Sequence, residues 1–202
     1  KKLIKELAVK DLAEKKELLV KKDKVEEAKA ELKEEISKVL KKRAEKKAKR
    51  LFEEKVASKI KKDSKLSSNE VQDLIVKAAK GELTEEELKE VLMKKLGLSE
   101  EEVEKIIQKA KKENKDVKEA LLAKVLEETT NLTQEEIAEV VKETSAIVKE
   151  TKELAKKLAT ATSADEVRKI LEEAGDVSQE DIASIAKKVE EVVAQEKDFL
   201  SE

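Results

Sequence analysis

The sequence predicts an all-α protein, a multi-helix bundle of about seven to nine antiparallel helices with two long spine helices. Charged residues make up 47% of the 202 residues and hydrophobic residues 39%, whereas proline is absent and glycine occurs three times. That composition is typical of helices and not of sheets. Hydrophobic residues recur three and four positions apart, and Ser or Thr followed three residues later by Glu marks several helix starts.

Composition also excludes several classes of protein. Cysteine, histidine, tryptophan and tyrosine are absent, so we expect neither a disulfide framework nor thiol chemistry. The longest apolar runs are too short for a membrane-spanning helix, and we expect a soluble protein with no membrane partner. The chain begins with Lys1 and not with Met, which leads us to expect a processed product or an excerpt. The cellular location stays unknown.

Charge is distributed unevenly along the chain. Up to Lys65 there are 24 Lys and Arg against 14 Asp and Glu, and the remainder carries 22 against 34. We therefore expect 1–65 to form a long basic helical hairpin or arm and 66–202 to form an acidic multi-helix bundle packed on it. A single domain over 1–202 is the alternative. The opposite charges favour packing within the chain or between copies.

The first helix is expected from about Lys2 to Val20. One of its faces is apolar, and we expect that face to be buried: Leu3, Ile4, Leu7, Ala8, Leu12, Leu18 and Leu19. The polar run 21–24, with a capping pattern at Asp23, predicts a break there. One uninterrupted helix of about sixty residues is the alternative.

The next stretch carries apolar residues that are nearly all four apart: Val25, Ala28, Leu32, Ile36, Leu40, Ala44, Ala48, Phe52, Val56 and Ile60. Four-residue steps overshoot a helical turn, so the stripe winds around the helix. This helix, about 24–62, must meet different partners along its length. Its expected companion is the heptad-patterned helix 134–159, which is also long and of opposite charge.

Residues 83–110 specify the ends of two short helices. Capping patterns begin them at Thr84 and Ser99, and Gly81 and Gly97 stand where a left-handed residue ends the preceding helix. We expect sharp turns at both glycines. The same device recurs, with expected N-cap residues at other helix starts: Ser67, Asp116, Thr133, Ser163 and Ser178.

Part of that stretch, 88–107, resembles a helix-turn-helix DNA-binding motif. The matching residues are the buried positions and the turn glycine: Leu92, Leu96, Gly97, Leu98, Val103 and Ile106. The resemblance implies that the helix starting at Ser99 enters the major groove. That helix begins with Glu100, Glu101 and Glu102, which would face phosphates, so nucleic acid is not an expected partner.

The residues suited to catalysis are few. Without histidine or cysteine no side chain is marked as a nucleophile or a base. The carboxylate clusters 85–87 and 100–102 lie in first helical turns, where they complement the helix dipole. A phosphate-binding glycine loop is absent from the sequence. We therefore expect no enzyme, no cofactor and no catalytic, cofactor-binding or metal site.

One basic run is a candidate anion-binding surface: Lys41, Lys42, Arg43, Lys46, Lys47, Lys49 and Arg50. On a helix these charges cover most of the circumference except an alanine line, so they can neutralise phosphates without reading bases. No aromatic residue is interleaved for base stacking. A solvated face that pairs partly with the acidic half is the favoured interpretation.

Taken whole, the chain resembles de novo designed helical proteins in its repeated capping boxes, its Lys/Glu surface and its few aromatic residues. That resemblance implies a structural helical protein with no native catalytic or ligand-binding function. The alternative is a natural helical interaction or scaffold module that binds a protein or anionic partner through the basic helix. No partner is required, and association between copies stays open because another copy would cover the winding stripe.

Overall fold

The computed structural model describes residues 2–201, and within them the fold is all-α. Eight α-helices follow one another: α1 (Lys2–Lys55), α2 (Ser68–Ala79), α3 (Glu85–Glu90), α4 (Glu100–Lys112), α5 (Val117–Thr129), α6 (Gln134–Thr160), α7 (Ala164–Ala174) and α8 (Gln179–Leu200). A 3₁₀ turn, Ala57–Lys59, follows α1, and a π-helical turn, Val91–Lys95, continues α3. The described residues contain no strand, only an isolated bridge between Ile60 and Thr130. The predicted fold class is confirmed.

Helix α1 is one helix of 54 residues. The break expected at 21–24 is wrong, and the alternative of one long helix is close to the observed length. Residues 21–24 are three lysines and an aspartate, with no glycine or proline to interrupt the backbone. Lysine costs little in a helix interior, so a polar run by itself does not end a helix.

The burial expected for the first 20 residues is also wrong. Every described side chain from residue 2 to residue 20 is exposed, and Val25 is the first buried one. Leu3 and Leu7 keep 72% and 60% of their accessible surface. The apolar face is present, but no other helix of the described residues covers it. We call residues 2–24 the N-terminal arm.

The chain forms two compact units. One comprises Lys1–Leu40 with Leu154–Glu202, and the other is Lys41–Glu153. Helices α1 and α6 therefore each contribute residues to both units. These units are defined by their contacts, and the division into a basic arm 1–65 and an acidic bundle 66–202 stays a prediction about domains.

In the unit 41–153, α1 packs against α6. Ala44 and Ala48 are fully buried, and they join one apolar cluster with Ile137 and Ile147 of α6. Alanine at both positions lets another helix approach α1 closely. Lys55 Nζ lies 2.6 Å from Glu139 Oε1 at the edge of this contact. The expected pairing of the two long helices is confirmed here.

In the other unit, α8 runs antiparallel along α1. Glu35 accepts a hydrogen bond from Ser184, Glu31 pairs with Lys188, and Lys29 pairs with Glu196. Isoleucines and valines of α8 join the cluster that contains residues 36–40 of α1. Because α8 ends at Leu200, the stretch of α1 that it covers ends near Val25, next to the last residue of the arm.

Helix starts are held by side-chain caps. Ser67 and Ser99 each accept the amide of the third helical residue, Glu70 or Glu102, whose carboxylate accepts the N-cap amide in return. At the other helix starts the N-cap side chain accepts a hydrogen bond from the backbone amide of the residue three positions later: Thr84, Asp116, Thr133, Ser163 and Ser178. Each such cap contributes about 1 kcal/mol to helix stability.

The turn between the π-helical segment and α4 depends on a left-handed residue. Gly97 has φ +74°, and the amide of Leu98 donates to the carbonyl of Leu92 at 2.9 Å, which closes the helix end. Asn114 takes the same role after α4 with φ +54°. A Cβ at Gly97 would meet only Lys65 Nζ, at 3.5 Å, so the requirement for glycine is conformational and not steric.

We predict that Gly97→Val lowers the free energy of unfolding by about 1–2 kcal/mol, because a β-branched residue pays the left-handed backbone penalty. Asn114→Gly, the matched control, should change it by less than about 1 kcal/mol or stabilise the protein. Urea unfolding followed by circular dichroism measures both. Equal stability of Gly97→Val and the native chain would contradict the role assigned to this turn.

Candidate functional site

The basic segment, residues 41–50 of α1, contains one buried cation. The side chain of Arg43 is 1% exposed, and its Nη2 donates to Glu150 Oε1 of α6 at 2.7 Å. Lys47 Nζ donates to the other oxygen of the same carboxylate at 2.9 Å. Two of the seven predicted anion-binding residues are therefore engaged with an anion of the protein itself.

The ionisation of Glu150 follows from these contacts. Burial alone would raise the pKa of its carboxyl group, but the hydrogen bonds from Arg43 and Lys47 outweigh burial and hold the pKa below its ordinary value. The carboxylate thus stays charged at neutral pH. A buried arginine needs that charge, because an unpaired guanidinium is costly to remove from water.

Two further cations of the segment pair on its exposed sides. Lys41 lies 3.0 Å from Glu82, and Lys49 lies 2.9 Å from Glu45, which also holds Lys80. Lysine hydrogen bonds lower the pKa of both glutamates. The remaining predicted residues are exposed: Lys42, Lys46 and Arg50. Anion binding stays a prediction, and the paired carboxylates weaken it.

A groove of about 400 Å³ lies beside the segment, between α1 and α6 of the unit 41–153. Its charged lining is balanced, with three cations and three carboxylates: Lys47, Arg50, Lys55, Glu54, Glu143 and Glu150. A groove with equal numbers of both charges does not concentrate an anion. Its charge balance therefore does not favour phosphate binding.

The acidic clusters occupy the helix starts at which the sequence placed them. Glu85 and Glu86 lie near Lys89, and Glu87 pairs with Lys77. Glu100 and Glu101 are exposed in the first turn of α4. No group of three or more Asp or Glu side chains in residues 2–201 is arranged to hold a metal ion. None of the helices in that range is long and apolar enough to cross a bilayer.

The surface that sequence reasoning misassigned is the N-terminal arm. Its apolar face was expected to be buried, and the large side chains of that face are instead exposed: Leu3, Ile4, Leu7, Leu12, Leu18 and Leu19. Val9 and Val20 are exposed as well. An amphipathic pattern indicates that a face is suited to burial. It does not say whether the covering element belongs to the same chain.

The arm has two sides of different character. At 3.6 residues per turn, Leu7 and Leu18 lie on one line of the helix, and Val9 and Val20 lie on the opposite line. We call the side that carries Leu3, Leu7 and Leu18 the leucine side. Charged residues interrupt it at its centre, where Asp11 and Lys15 form an ion pair of 3.1 Å. No acidic residue stands in the first turn of α1 to complement the helix dipole.

Comparison with known proteins gave no match among protein families, curated proteins or solved structures. No residue role is carried over from a relative. The arm and the basic segment differ in how far their side chains are engaged by the rest of the protein. The cations of the basic segment are largely paired, whereas the leucines of the arm are uncovered.

We predict that Glu150→Ala lowers the free energy of unfolding by roughly 2–3 kcal/mol, because it leaves Arg43 buried without its carboxylate. That is less than a fully buried pair would lose, since the Glu150 side chain is 38% exposed. Glu82→Ala removes an exposed pair and should cost under about 1 kcal/mol. Equal losses in urea unfolding of the two variants would contradict the special position of Arg43.

Glu150 should also make stability depend on pH. Its folded pKa lies below the ordinary value of 4.5, so its stabilising contribution is complete above the unfolded pKa and is lost as the pH falls through the folded pKa. We predict that the stability difference between the native chain and Glu150→Gln is constant near neutral pH and shrinks below pH 4.5. Urea unfolding at a series of pH values measures it, and a difference that grows in acid would refute the assignment.

Proposed function

We propose that this protein is a helical interaction module that associates with a partner α-helix through its N-terminal arm, with no catalytic step. The main support for this proposal is that the leucine side of the arm is exposed, whereas the next turns of the same helix are covered by α8. Exposed clusters of large apolar side chains on soluble proteins mark interaction sites.

The energetics favour a partner that covers the leucine side. Burying one leucine side chain is worth about 1.5–3 kcal/mol, and Leu3 and Leu7 retain most of their exposed surface. Association also orders long lysine side chains and costs translational freedom. Several leucines buried together are needed to exceed that cost, which is why a whole helix is the expected partner.

Helix α8 supplies the pattern for such an association. It lies antiparallel on α1, buries Ile182, Ile185 and Val189, and pairs at its edges through Lys188 and Glu196. The arm presents the next turns of the same helix beyond the end of α8. A partner helix with the same kind of apolar seam would continue this packing towards the start of α1.

A structural protein with no ligand or reaction is the second candidate. It is supported by the regular use of Ser, Thr and Asp caps at the helix starts and by the Lys/Glu surface, both typical of de novo designed helical proteins. Under this proposal the arm has no partner. Binding of an anion or protein through the basic segment is less favoured, because Arg43, Lys47 and Lys41 already contact carboxylates.

A labelled peptide with the sequence 179–200 tests the proposed function. We predict that it binds the full chain in fluorescence anisotropy and that Leu7→Gln with Leu18→Gln weakens binding at least tenfold, because two leucines of the seam are lost. Val9→Gln with Val20→Gln is the matched control on the opposite side and should bind normally. Glutamine preserves helix propensity in both. Identical binding by the two double variants would contradict the proposal.

A further inference from the structure

We propose that the partner of the N-terminal arm is the arm of a second copy of this chain, and that the two arms pair antiparallel. The inference rests on the proposed function and names its partner. Within residues 2–201 the leucine side of the arm is the apolar helix face that no other helix covers. In each copy α8 is engaged with its own α1, whereas the arm is uncovered and present at the same concentration.

The pattern of the arm suits antiparallel pairing. Apolar residues cluster at 3–9 and again at 18–20, and charged residues lie between. An antiparallel register that sets Asp11 opposite Lys15 of the second copy brings unlike charges together, and two-fold symmetry repeats the contact. Parallel pairing would instead place Asp11 on Asp11 and Lys15 on Lys15, which repel each other.

The size of the contact suits a reversible dimer. A 23-residue helix is about 35 Å long and about 10 Å wide, so two arms bury on the order of 1,000 Å² in total. That area stands at the lower limit of specific interfaces. We therefore expect association at micromolar concentrations and a measurable fraction of single copies below them.

The net charge of the arm distinguishes pairing with a second copy from binding to an acidic partner or to an anionic membrane. The arm carries eight lysines and five acidic residues over residues 2–24, so two arms repel weakly, and salt screens that repulsion. Pairing of arms should hold or strengthen as NaCl is raised, whereas binding of an acidic partner should weaken. An anionic membrane surface is disfavoured, because Asp11 and Glu14 lie on the leucine side and the arm has no aromatic residue.

Light scattering coupled to size exclusion tests the association. The native chain should shift from one copy of 22.7 kDa towards two copies across the micromolar range, at low and at high NaCl. Leu7→Gln with Leu18→Gln should remain a single copy, and Val9→Gln with Val20→Gln should behave as the native chain does. A single copy at every concentration, or dimers of the leucine variant, would overturn the inference. Binding of phosphatidylserine vesicles by a chain that never self-associates would overturn it too.

The orientation is tested with single cysteines, since the native chain has none. In the antiparallel register two Glu14→Cys side chains lie within about 3 Å of each other along the helix axis, whereas two Lys22→Cys side chains are about 27 Å apart. Only Glu14→Cys should give a disulfide-linked dimer on oxidation. Linkage of both variants would overturn the antiparallel arrangement, with circular dichroism confirming that each is folded.

The two proposals fail separately. If the chain stays a single copy and the 179–200 peptide still binds through Leu7 and Leu18, the second copy is the wrong partner and the arm remains an interaction surface. If neither the peptide nor a second copy binds, the proposed function fails as well. The double variants serve both experiments, because each pair is exposed and lies outside the packed clusters.

Discussion

The apolar stripe of α1 advances in steps of four residues, and the packing in both units follows from that advance. Because each step overshoots the helical turn, successive stretches of α1 face different directions and meet different helices. Residues 36–40 pack with α8, and residues 44–56 pack with α2 to α6. The stripe lies on one uninterrupted helix, and α1 contains neither glycine nor proline.

Small and charged side chains share the contact between α1 and α6. Ala44 and Ala48 allow the close approach, and Arg43 reaches Glu150 from a buried position. Apolar packing has little directional preference, whereas a guanidinium and a carboxylate pair only when their atoms meet. The ion pair therefore restricts the register of α6 on α1. Glu150 also engages two of the predicted anion-binding residues, Arg43 and Lys47.

The contrast between covered and uncovered stretches of α1 links fold to proposed function. From Val25 onward the stripe is buried, and before it the same kind of stripe is exposed. The arm spans more than six helical turns, so it can seat a second helix without disturbing the folded units. In the proposed association each unit would keep its own buried apolar cluster.

From α2 onward the sequence by itself determined helix starts and ends, because capping bonds and left-handed residues act within a few positions: Ser67, Ser99 and Gly97 took the predicted roles. It also determined the fold class, through the spacing of apolar residues. Tertiary structure decided which side chains are buried, because local sequence patterns do not specify contacts between distant residues. Burial of Arg43 depends on Glu150, which lies 107 residues away, and exposure of Leu7 depends on where α8 ends. An amphipathic pattern indicates that one face of a helix is suited to burial. Only the positions of the other helices decide whether that face is buried.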